Sequence, residues 1–317
     1  MRFVRRRWIG ISVAAAFVLA AVLGGATATG ADAAPAAPAA SASVSEYTLG
    51  DLVLAGKGDS STSIVGNGGA LVLIGDYDVR WRGTRAAAHV SLQRRIGAGH
   101  WTTTTAKVSS TKNGFTVRTP KYSTSATKRT VAYRLVSKAY SSAKGRVRNT
   151  SRSHLARITY EDQRRYSGLA KAVYAAAKPY CPSTAVHVAG LKVAAGDYAT
   201  GTLLIRVIDE VRGYSAKDVR ALALHECSHE RQWLNYGGTV AGHRTMEKAA
   251  KRWFSSWKVP SGARYPYVSP DPSITPIEHA ADCGAQALNP GGYLGYGGYC
   301  TATELREGAK LLRGHRY

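Results

Sequence analysis

The segment between residues 216 and 236 contains neither proline nor glycine and is followed at once by Gly237 and Gly238. Ser215, with Asp218 three positions later, has the form of a helix N-cap, and the paired glycines are a usual helix stop. We therefore predict one long helix, of about six turns. Because residues four apart share one face of a helix, this prediction fixes which of its side chains can act together.

Two histidines, His225 and His229, lie four positions apart in this helix, and Glu226 follows the first of them. Both imidazoles can bind one ion at roughly 2.0–2.1 Å from each nitrogen. Glu226 is rotated about 100° from His225, so it can reach a water molecule on that ion without becoming a ligand. The pattern predicts Zn²⁺ as the cofactor and Glu226 as the general base of a hydrolysis. The alternative is that the histidines are ordinary solvated or core residues.

A third ligand is needed, because a catalytic zinc takes three protein ligands and keeps one position open. Glu278 is the favoured one, and Asp282, on the same helix face, can accept a hydrogen bond from a ligand imidazole. Thr275 to Glu278 also has the form of a capping box, in which the carboxylate would instead satisfy backbone N–H groups. His243 and Glu247 are the alternative ligands.

The HExxH pattern at 225–229, followed by Glu278 and Asp282 in an ExxAD arrangement, resembles the gluzincin metallopeptidases, the group that contains thermolysin. The resemblance covers residues 163–317. It implies an α+β zincin-like domain in which a sheet lies over the active-site helix, a second helix carries the ligand glutamate, and the activity is that of a peptidase. Asn235 stands where metzincins have a third histidine, which disfavours that class.

Peptide hydrolysis also needs a hydrogen-bond donor for the developing oxyanion. Tyr265, Tyr267, His243 and His279 are candidates that the sequence does not rank. The loop at 291–299, rich in tyrosine and glycine, is interpreted either as a wall of the substrate cleft or as a plain surface loop.

The N-terminus predicts export. Arg2, Arg5, Arg6 and Arg7 lead into an apolar stretch at 8–23 and then into small residues, so we interpret residues 1–33 as a cleavable secretory signal, with an uncleaved anchor as the alternative. The apolar stretch is shorter than the roughly 20 residues of a membrane span, so the mature protein is expected to have no integral membrane segment. Residues 34–46, mostly Ala, Pro and Ser, are predicted to form a disordered linker. The expected location is extracellular, secreted or wall-associated.

Export would place the four cysteines in an oxidising compartment, and two disulfides are the expected outcome. Three pairings are open, of which we favour Cys283 with Cys300, around the glycine-rich loop, and Cys181 with Cys227. Cys227 lies inside the histidine motif, but it projects from nearly the opposite side of the helix. This geometry favours a disulfide or core role over metal ligation.

Residues 47–160 alternate short apolar runs with turn residues, which predicts strands near 52–55, 70–74, 79–81, 89–93, 115–118, 131–136 and 155–159. The runs around Trp101, Phe115 and Tyr133 resemble the immunoglobulin-like or fibronectin-like modules of secreted bacterial enzymes. From residue 161 the period changes, and we predict a helix over 163–178 and strands over 185–193 and 202–208. The expected fold is thus an N-terminal all-β, immunoglobulin-like sandwich at 47–160 and an α+β zincin-like metallopeptidase domain at 161–317.

Positive charge is concentrated in the first of these regions. The chain carries a net +23, and residues 47–160 contribute nineteen Lys or Arg against four Asp. A surface of this kind attracts polyanions, so an anionic cell-wall polymer or an anionic lipid surface is an expected partner, and no specific nucleic acid is expected. The alternative is that the charge serves solubility and general adhesion.

These expectations describe a secreted zinc peptidase that acts on a peptide or protein substrate. One alternative is a non-catalytic secreted protein that binds cell-wall or surface polyanions and keeps only a structural or vestigial zinc site. Glu226 argues against it, because a structural site needs no general base. Another alternative is a different zinc hydrolase, such as an amidase that acts on wall peptides.

Overall fold

The computed structural model describes residues 49–317 except 57–59, 78–88, 112–113, 139, 143–144, 148–150, 192–194, 256–273, 293–294 and 297. The signal and linker predicted at 1–33 and 34–46 lie outside the described residues, as do the strand at 79–81, Tyr265 and Tyr267. Within the described part, the fold is mixed α+β, with several sheets and five α-helices. No helix there has both the length and the hydropathy that crossing a bilayer requires.

Two larger sheets form the N-terminal half of the described chain. The strands of the first sheet are all antiparallel and are, in spatial order, β1 (Leu49–Leu54), β3 (Val72–Tyr77), β7 (Gly114–Arg118) and β6 (Val108–Thr111). The strands of the second are β2 (Thr62–Gly66), β12 (Ala156–Glu161), β8 (Lys128–Ser137), β4 (Val90–Ile96) and β5 (Thr102–Thr103), with β11 (Ser151–Arg152) beside the end of β8. Only β2 and β12 pair in parallel in this sheet. A separate hairpin joins β9 (Tyr140–Ser142) to β10 (Gly145–Val147).

These two sheets share one hydrophobic core. Tyr133, Leu135 and Ile158 point inward from the second sheet and are fully buried, because alternate residues of a strand face the same side. Leu73 and Phe115 of the first sheet belong to the same cluster. Full burial of one such side chain stabilises the fold by roughly 1.5–3 kcal/mol. Six of the predicted strand segments overlap a strand, whereas the strands β2, β5, β6, β9, β10 and β11 were not predicted.

The C-terminal half is built from a small sheet and the five helices. In the sheet, β13 (Ala185–Val188) runs parallel to β15 (Leu204–Val207), and β14 (Gly196–Tyr198) is its antiparallel edge strand. The helices are α1 (Gly168–Ala177), α2 (Ala216–Asn235), α3 (Val240–Trp253), α4 (Pro276–Leu288) and α5 (Ala302–Leu312). One side of α2 packs with the small sheet and α1 around a core that includes Val173, Ile205 and Leu222. Helices α4 and α5 also pack against α2.

The long helix predicted from the sequence is confirmed as α2. The Ser215 hydroxyl accepts a hydrogen bond of 3.1 Å from the Asp218 backbone N–H, a cap that stabilises a helix by about 1 kcal/mol. At the other end, Gly237 has a φ of 96°, a backbone conformation that glycine adopts without strain, and its N–H bonds the Leu234 carbonyl at 3.0 Å.

The helix predicted over 163–178 is wrong in its first turn. Residues Gln163–Arg165 form a short 3₁₀ turn, and α1 begins only at Gly168. Between them, Tyr166 is extended, and its hydroxyl donates to Glu161 at 2.8 Å and accepts from the Val186 N–H at 3.1 Å. These two bonds hold Tyr166 in an extended conformation, so the helix does not form where the local apolar pattern predicts its first turn. The strands predicted at 185–193 and 202–208 are present in shorter form, as β13 and β15.

A buried carboxylate joins the two halves of the described chain. Glu161, at the end of β12, accepts hydrogen bonds from Lys128 and His187 at 2.9 Å and from Tyr166 at 2.8 Å. Burial alone would raise the pKa of Glu161, but the bonds from His187, Lys128 and Tyr166 outweigh it and lower the pKa to about 2. The ionised form is therefore favoured in the folded state.

Both favoured disulfides are present, Cys181–Cys227 and Cys283–Cys300. The first links the segment after α1 to the middle of α2, where Cys227 belongs to the core rather than to the histidine face. The second links α4 to the segment before α5. With sequence separations of 46 and 17 residues, loop closure contributes roughly 4 and 3 kcal/mol in the chain-entropy model.

Candidate metal centre

Helices α2 and α4 bring three potential ligands together. The Nε2 atoms of His225 and His229 are 3.1 Å apart. The Oε2 atom of Glu278 lies 3.3 Å from the first nitrogen and 2.9 Å from the second. The three side chains thus form a group that could hold a metal ion. They are the three ligands predicted from the sequence, and 48 residues separate His229 from Glu278 in the chain.

The geometry of this group fits zinc. Two ligand atoms that each lie 2.0–2.1 Å from an ion, at a tetrahedral angle, are about 3.3 Å apart. The distances among the three atoms are between 2.9 and 3.3 Å. Two imidazole nitrogens and one carboxylate oxygen are also a donor set that zinc accepts, with a fourth position left for water or substrate.

The outer nitrogen of each imidazole has a hydrogen-bond acceptor that fixes the ring. His225 donates from Nδ1 to Asp282 Oδ1 at 2.8 Å, the contact expected from the sequence. His229 donates from Nδ1 to Gln232 Oε1 at 2.8 Å, and the Gln232 amide donates in turn to the Ile277 carbonyl at 2.9 Å. With the Nδ1 protons held by these acceptors, loss of each Nε2 proton to a metal ion would leave both Nε2 lone pairs directed at the centre of the group.

The backbone of Glu278 takes part in the cap of α4, and its carboxylate lies among the histidines, as the ligand role predicts. The Thr275 hydroxyl caps α4 by accepting from the Glu278 backbone N–H at 3.3 Å, and Pro276 occupies the first helical turn. The Glu278 carboxylate points instead toward the histidines. Burial would raise the pKa of Glu278, but the charge of His229 and the hydrogen bonds from both imidazoles hold it well below its usual range. Because the cap uses only the backbone N–H of Glu278, its carboxylate remains available to bind a metal ion.

Glu226 lies beside this group without belonging to it. Its side chain is buried against Gly196 of β14, where an added Cβ would come within 3.2 Å of Glu226 Oε1. A larger residue at this edge strand would therefore push the carboxylate away. Burial raises the pKa of Glu226 to about 7, and the nearby His225 and His229 act in the opposite direction. No pattern in the sequence indicated that Gly196 would lie against Glu226.

The centre is strongly acidic in a strongly basic chain. Glu226, Glu278 and Asp282 are three carboxylates in one small, mostly buried volume. In the described part of the chain, no Lys or Arg forms an ion pair with any of them, and the cations nearest to them are imidazolium forms. Asp282 and Glu278 raise the pKa of His225 well above its usual value, even though burial lowers it. The site is therefore arranged to favour positive charge.

Tyr296, from the loop between α4 and α5, covers one side of the centre. Its ring stacks on His225 with the centroids 5.9 Å apart and the planes at 28°. Burial and the negative charge of Glu278 raise the pKa of Tyr296 well above 10. The loop is held by Asp282, which accepts from the backbone N–H groups of Gly295 at 3.1 Å and Tyr296 at 2.9 Å. Asp282 thus fixes both a histidine and the tyrosine loop.

The alternative ligands and donors lie elsewhere. His243 and Glu247 are 3.5 Å apart on α3 and are not part of the convergent group. His279 is fully buried, 3.3 Å from Glu304 and next to the Cys283–Cys300 disulfide. His279 and these two cysteines form a second cluster of potential ligands, but the disulfide occupies both sulfurs.

Comparison of the chain with models of known protein families finds none that matches, and a search of curated proteins also finds no match. The functional interpretation therefore depends on the geometry of the site itself.

Proposed function

We propose that this chain is a secreted, zinc-dependent peptidase of the gluzincin type, in which His225, His229 and Glu278 bind the metal and Glu226 is the general base. The observation that carries the proposal is the convergence of three ligand atoms within 3.3 Å of one another, beside a buried carboxylate that is not a ligand. A structural zinc site normally has four protein ligands and needs no such carboxylate.

Charge supports a divalent cation at this position. Three carboxylates that lie close together and lack Lys or Arg partners in the described chain repel one another at neutral pH. A bound dication would neutralise most of that charge, and neutral imidazoles with inward lone pairs would complete its coordination. The hydrogen bonds from His225 to Asp282 and from His229 to Gln232 hold this tautomer in place.

The reaction follows from the positions of the side chains. Zinc bound by the three ligands would supply Lewis-acid activation of water and of the scissile carbonyl. Glu226 takes a proton from the attacking water and passes it to the leaving amine. Tyr296 is the described side chain best placed to donate a hydrogen bond to the developing oxyanion, because its ring stacks on the ligand His225 and the negative charge of Glu278 acts on its hydroxyl.

The proposal extends to the surrounding fold and to the location of the protein. Edge strand β14 lies against the motif helix α2, and α4 carries the proposed ligand Glu278; both placements support a zincin-like domain. The two sheets with a common core support an immunoglobulin-like module at 47–160. The two disulfides support an oxidising, extracellular environment and, with the signal predicted at 1–33, secretion.

The test is the Glu226→Gln variant of the oxidised protein. We expect it to bind one zinc per chain, as the wild type does, and to hydrolyse a fluorogenic peptide mixture at least 10²-fold more slowly, because the base is lost while all three ligands remain. Metal content and peptide turnover are measured on the same samples, before and after treatment with a chelator.

Glu247→Gln is the matched control. It makes the same chemical change at a half-exposed glutamate of α3, and it should leave both zinc content and turnover unchanged. Native turnover in the Glu226→Gln variant would disprove the assigned base. If the wild-type protein takes up no zinc, the assigned metal site is wrong. If the wild-type protein binds zinc but cleaves no peptide, the site is structural and the proposed peptidase activity is wrong.

A further inference from the structure

Four arginines occupy the outer face of the second sheet. Arg95 and Arg157 both pair with Ala132 of β8, one from each side, and residues paired in this way point to the same face. Arg134 is two positions along β8 and therefore also faces outward. Arg152 pairs with Val136, two positions further on.

This arrangement places Arg134 at the centre of the group, which we call the arginine face. Each of Arg95, Arg152 and Arg157 lies one strand across and two residues along from it, so that the Cα atoms are about 8 Å apart. Burial and then the charges of Arg152 and Arg95 lower the pKa of Arg134, as expected for cations held close together.

The charges of the arginine face are not neutralised within the described part of the chain. No carboxylate there forms an ion pair with any of the four guanidinium groups, whereas Arg164, Arg206 and Arg212 elsewhere each have an aspartate partner. Arg134 instead donates two hydrogen bonds to Gln93, and Arg95 Nε has no hydrogen-bond partner among the described residues. Cations that repel one another without a protein counter-charge favour an anion from outside.

Among the described residues, the only aromatic ring in cation–π contact with these arginines is that of Trp101. The Arg134 guanidinium lies 4.0 Å from its ring centroid and the Arg95 guanidinium 4.9 Å. Cation–π stacking of this kind orients the guanidinium groups and leaves less of the ring for contact with a ligand. Proteins that bind single-stranded nucleic acids instead present aromatic faces on which bases stack.

We propose that the arginine face binds a linear polymer of phosphodiesters that carries no nucleobases, such as a polyol phosphate. The guanidinium groups would contact successive phosphates through paired N–H donors. The proposal is independent of the proposed hydrolysis, because the second sheet contributes no residue to the metal centre.

The test is binding of a fluorescent poly(glycerol phosphate) to the full chain as salt is raised from 50 to 200 mM. With four phosphate contacts, affinity should fall about 50-fold over this range, and with two contacts only about sevenfold. The variant replaces both Arg152 and Arg157 by Gln. Both side chains are exposed, and neither makes a hydrogen bond with another described residue. It should bind more weakly at 50 mM salt and show the shallower salt dependence.

Lys171→Gln with Arg313→Gln is the matched control. It removes two exposed positive charges outside the arginine face, one from α1 and one from the residue that follows α5, and should retain the steep salt dependence. Both double variants should keep native peptide hydrolysis. Equal loss of binding in the two variants would overturn the proposal, because attraction would then follow net charge alone. Tighter binding of an oligothymidine with the same number of phosphates would overturn the choice of polymer.

Discussion

Asp282→Asn tests the site most directly, because one carboxylate holds two parts of it. Asp282 accepts hydrogen bonds from His225 Nδ1 and from the backbone N–H groups of Gly295 and Tyr296, and its side chain is 2% exposed. Asparagine keeps the shape but replaces one acceptor oxygen with an NH₂ group, which would face another donor. At least one charge-assisted bond is lost and a buried donor is left unsatisfied.

The size of the effect follows from this loss. A hydrogen bond to a buried charged group contributes about 1.5–3 kcal/mol. Loss of a partner that orients a metal ligand typically weakens metal binding 10- to 100-fold, which is about 1.4–2.7 kcal/mol. The two estimates agree, so we expect the zinc dissociation constant of the Asp282→Asn variant to rise 10- to 100-fold.

The assay is competition for zinc against a chromophoric chelator, with melting of the metal-free proteins measured separately to detect any general loss of stability. Asp209→Asn is the control, since this aspartate is 68% exposed and pairs only with Arg212 on the surface. Its zinc affinity should be native. If Asp282→Asn also binds zinc within twofold of the wild type, the role assigned to Asp282 is wrong.

Three further outcomes are expected. Tyr296→Phe should keep its zinc and lower kcat about 100-fold with KM unchanged, as for loss of one oxyanion donor; unchanged steady-state kinetics would exclude this role. Replacing both Cys283 and Cys300 by Ala should lower the free energy of unfolding in denaturant by roughly 3 kcal/mol and speed zinc release, whereas release at the native rate would show that the bridge does not hold the loop. The pKa of Glu161 falls from 4.5 unfolded to about 2 folded, so its contribution, about 3 kcal/mol, is complete above pH 4.5 and is lost as pH falls toward 2. Glu161→Gln should remove this part of the acid dependence of unfolding, and an unaltered profile would contradict the bonding to His187.

The local parts of the site could be predicted from the sequence. Helix α2 carries its own cap, stop and apolar pattern, so the side chains of His225, Glu226 and His229 were placed correctly relative to one another. Glu278 was favoured as the third ligand because Asp282 shares its helix face, and the structure brings its carboxylate together with the two histidines. Short spacing within helices is what sequence patterns report reliably.

The remaining parts depend on tertiary contacts that no local pattern encodes. Tyr296 reaches the centre because Asp282 binds the backbone of its loop, and the sequence indicated only a loop that could line a cleft. His279 looked equally suitable as an oxyanion donor, but it follows Glu278 by one position and is therefore rotated about 100° around α4, toward Glu304. Gly196 affects the site only through a tertiary contact, because the packing of β14 against α2 leaves no room for a side chain between Gly196 and the Glu226 carboxylate.

The two disulfides lie next to the chemistry in sequence. Cys227 directly follows Glu226, and Cys283 directly follows Asp282, so each helix that supplies site residues is fastened covalently to another segment. A newly made chain in a reducing compartment would lack both disulfides. The loop that carries Tyr296 would then not be closed by the bond between Cys283 and Cys300. Under the proposed function, thiol oxidation would therefore complete the fastening of both site helices, and the metal centre would be held most firmly in an oxidising environment.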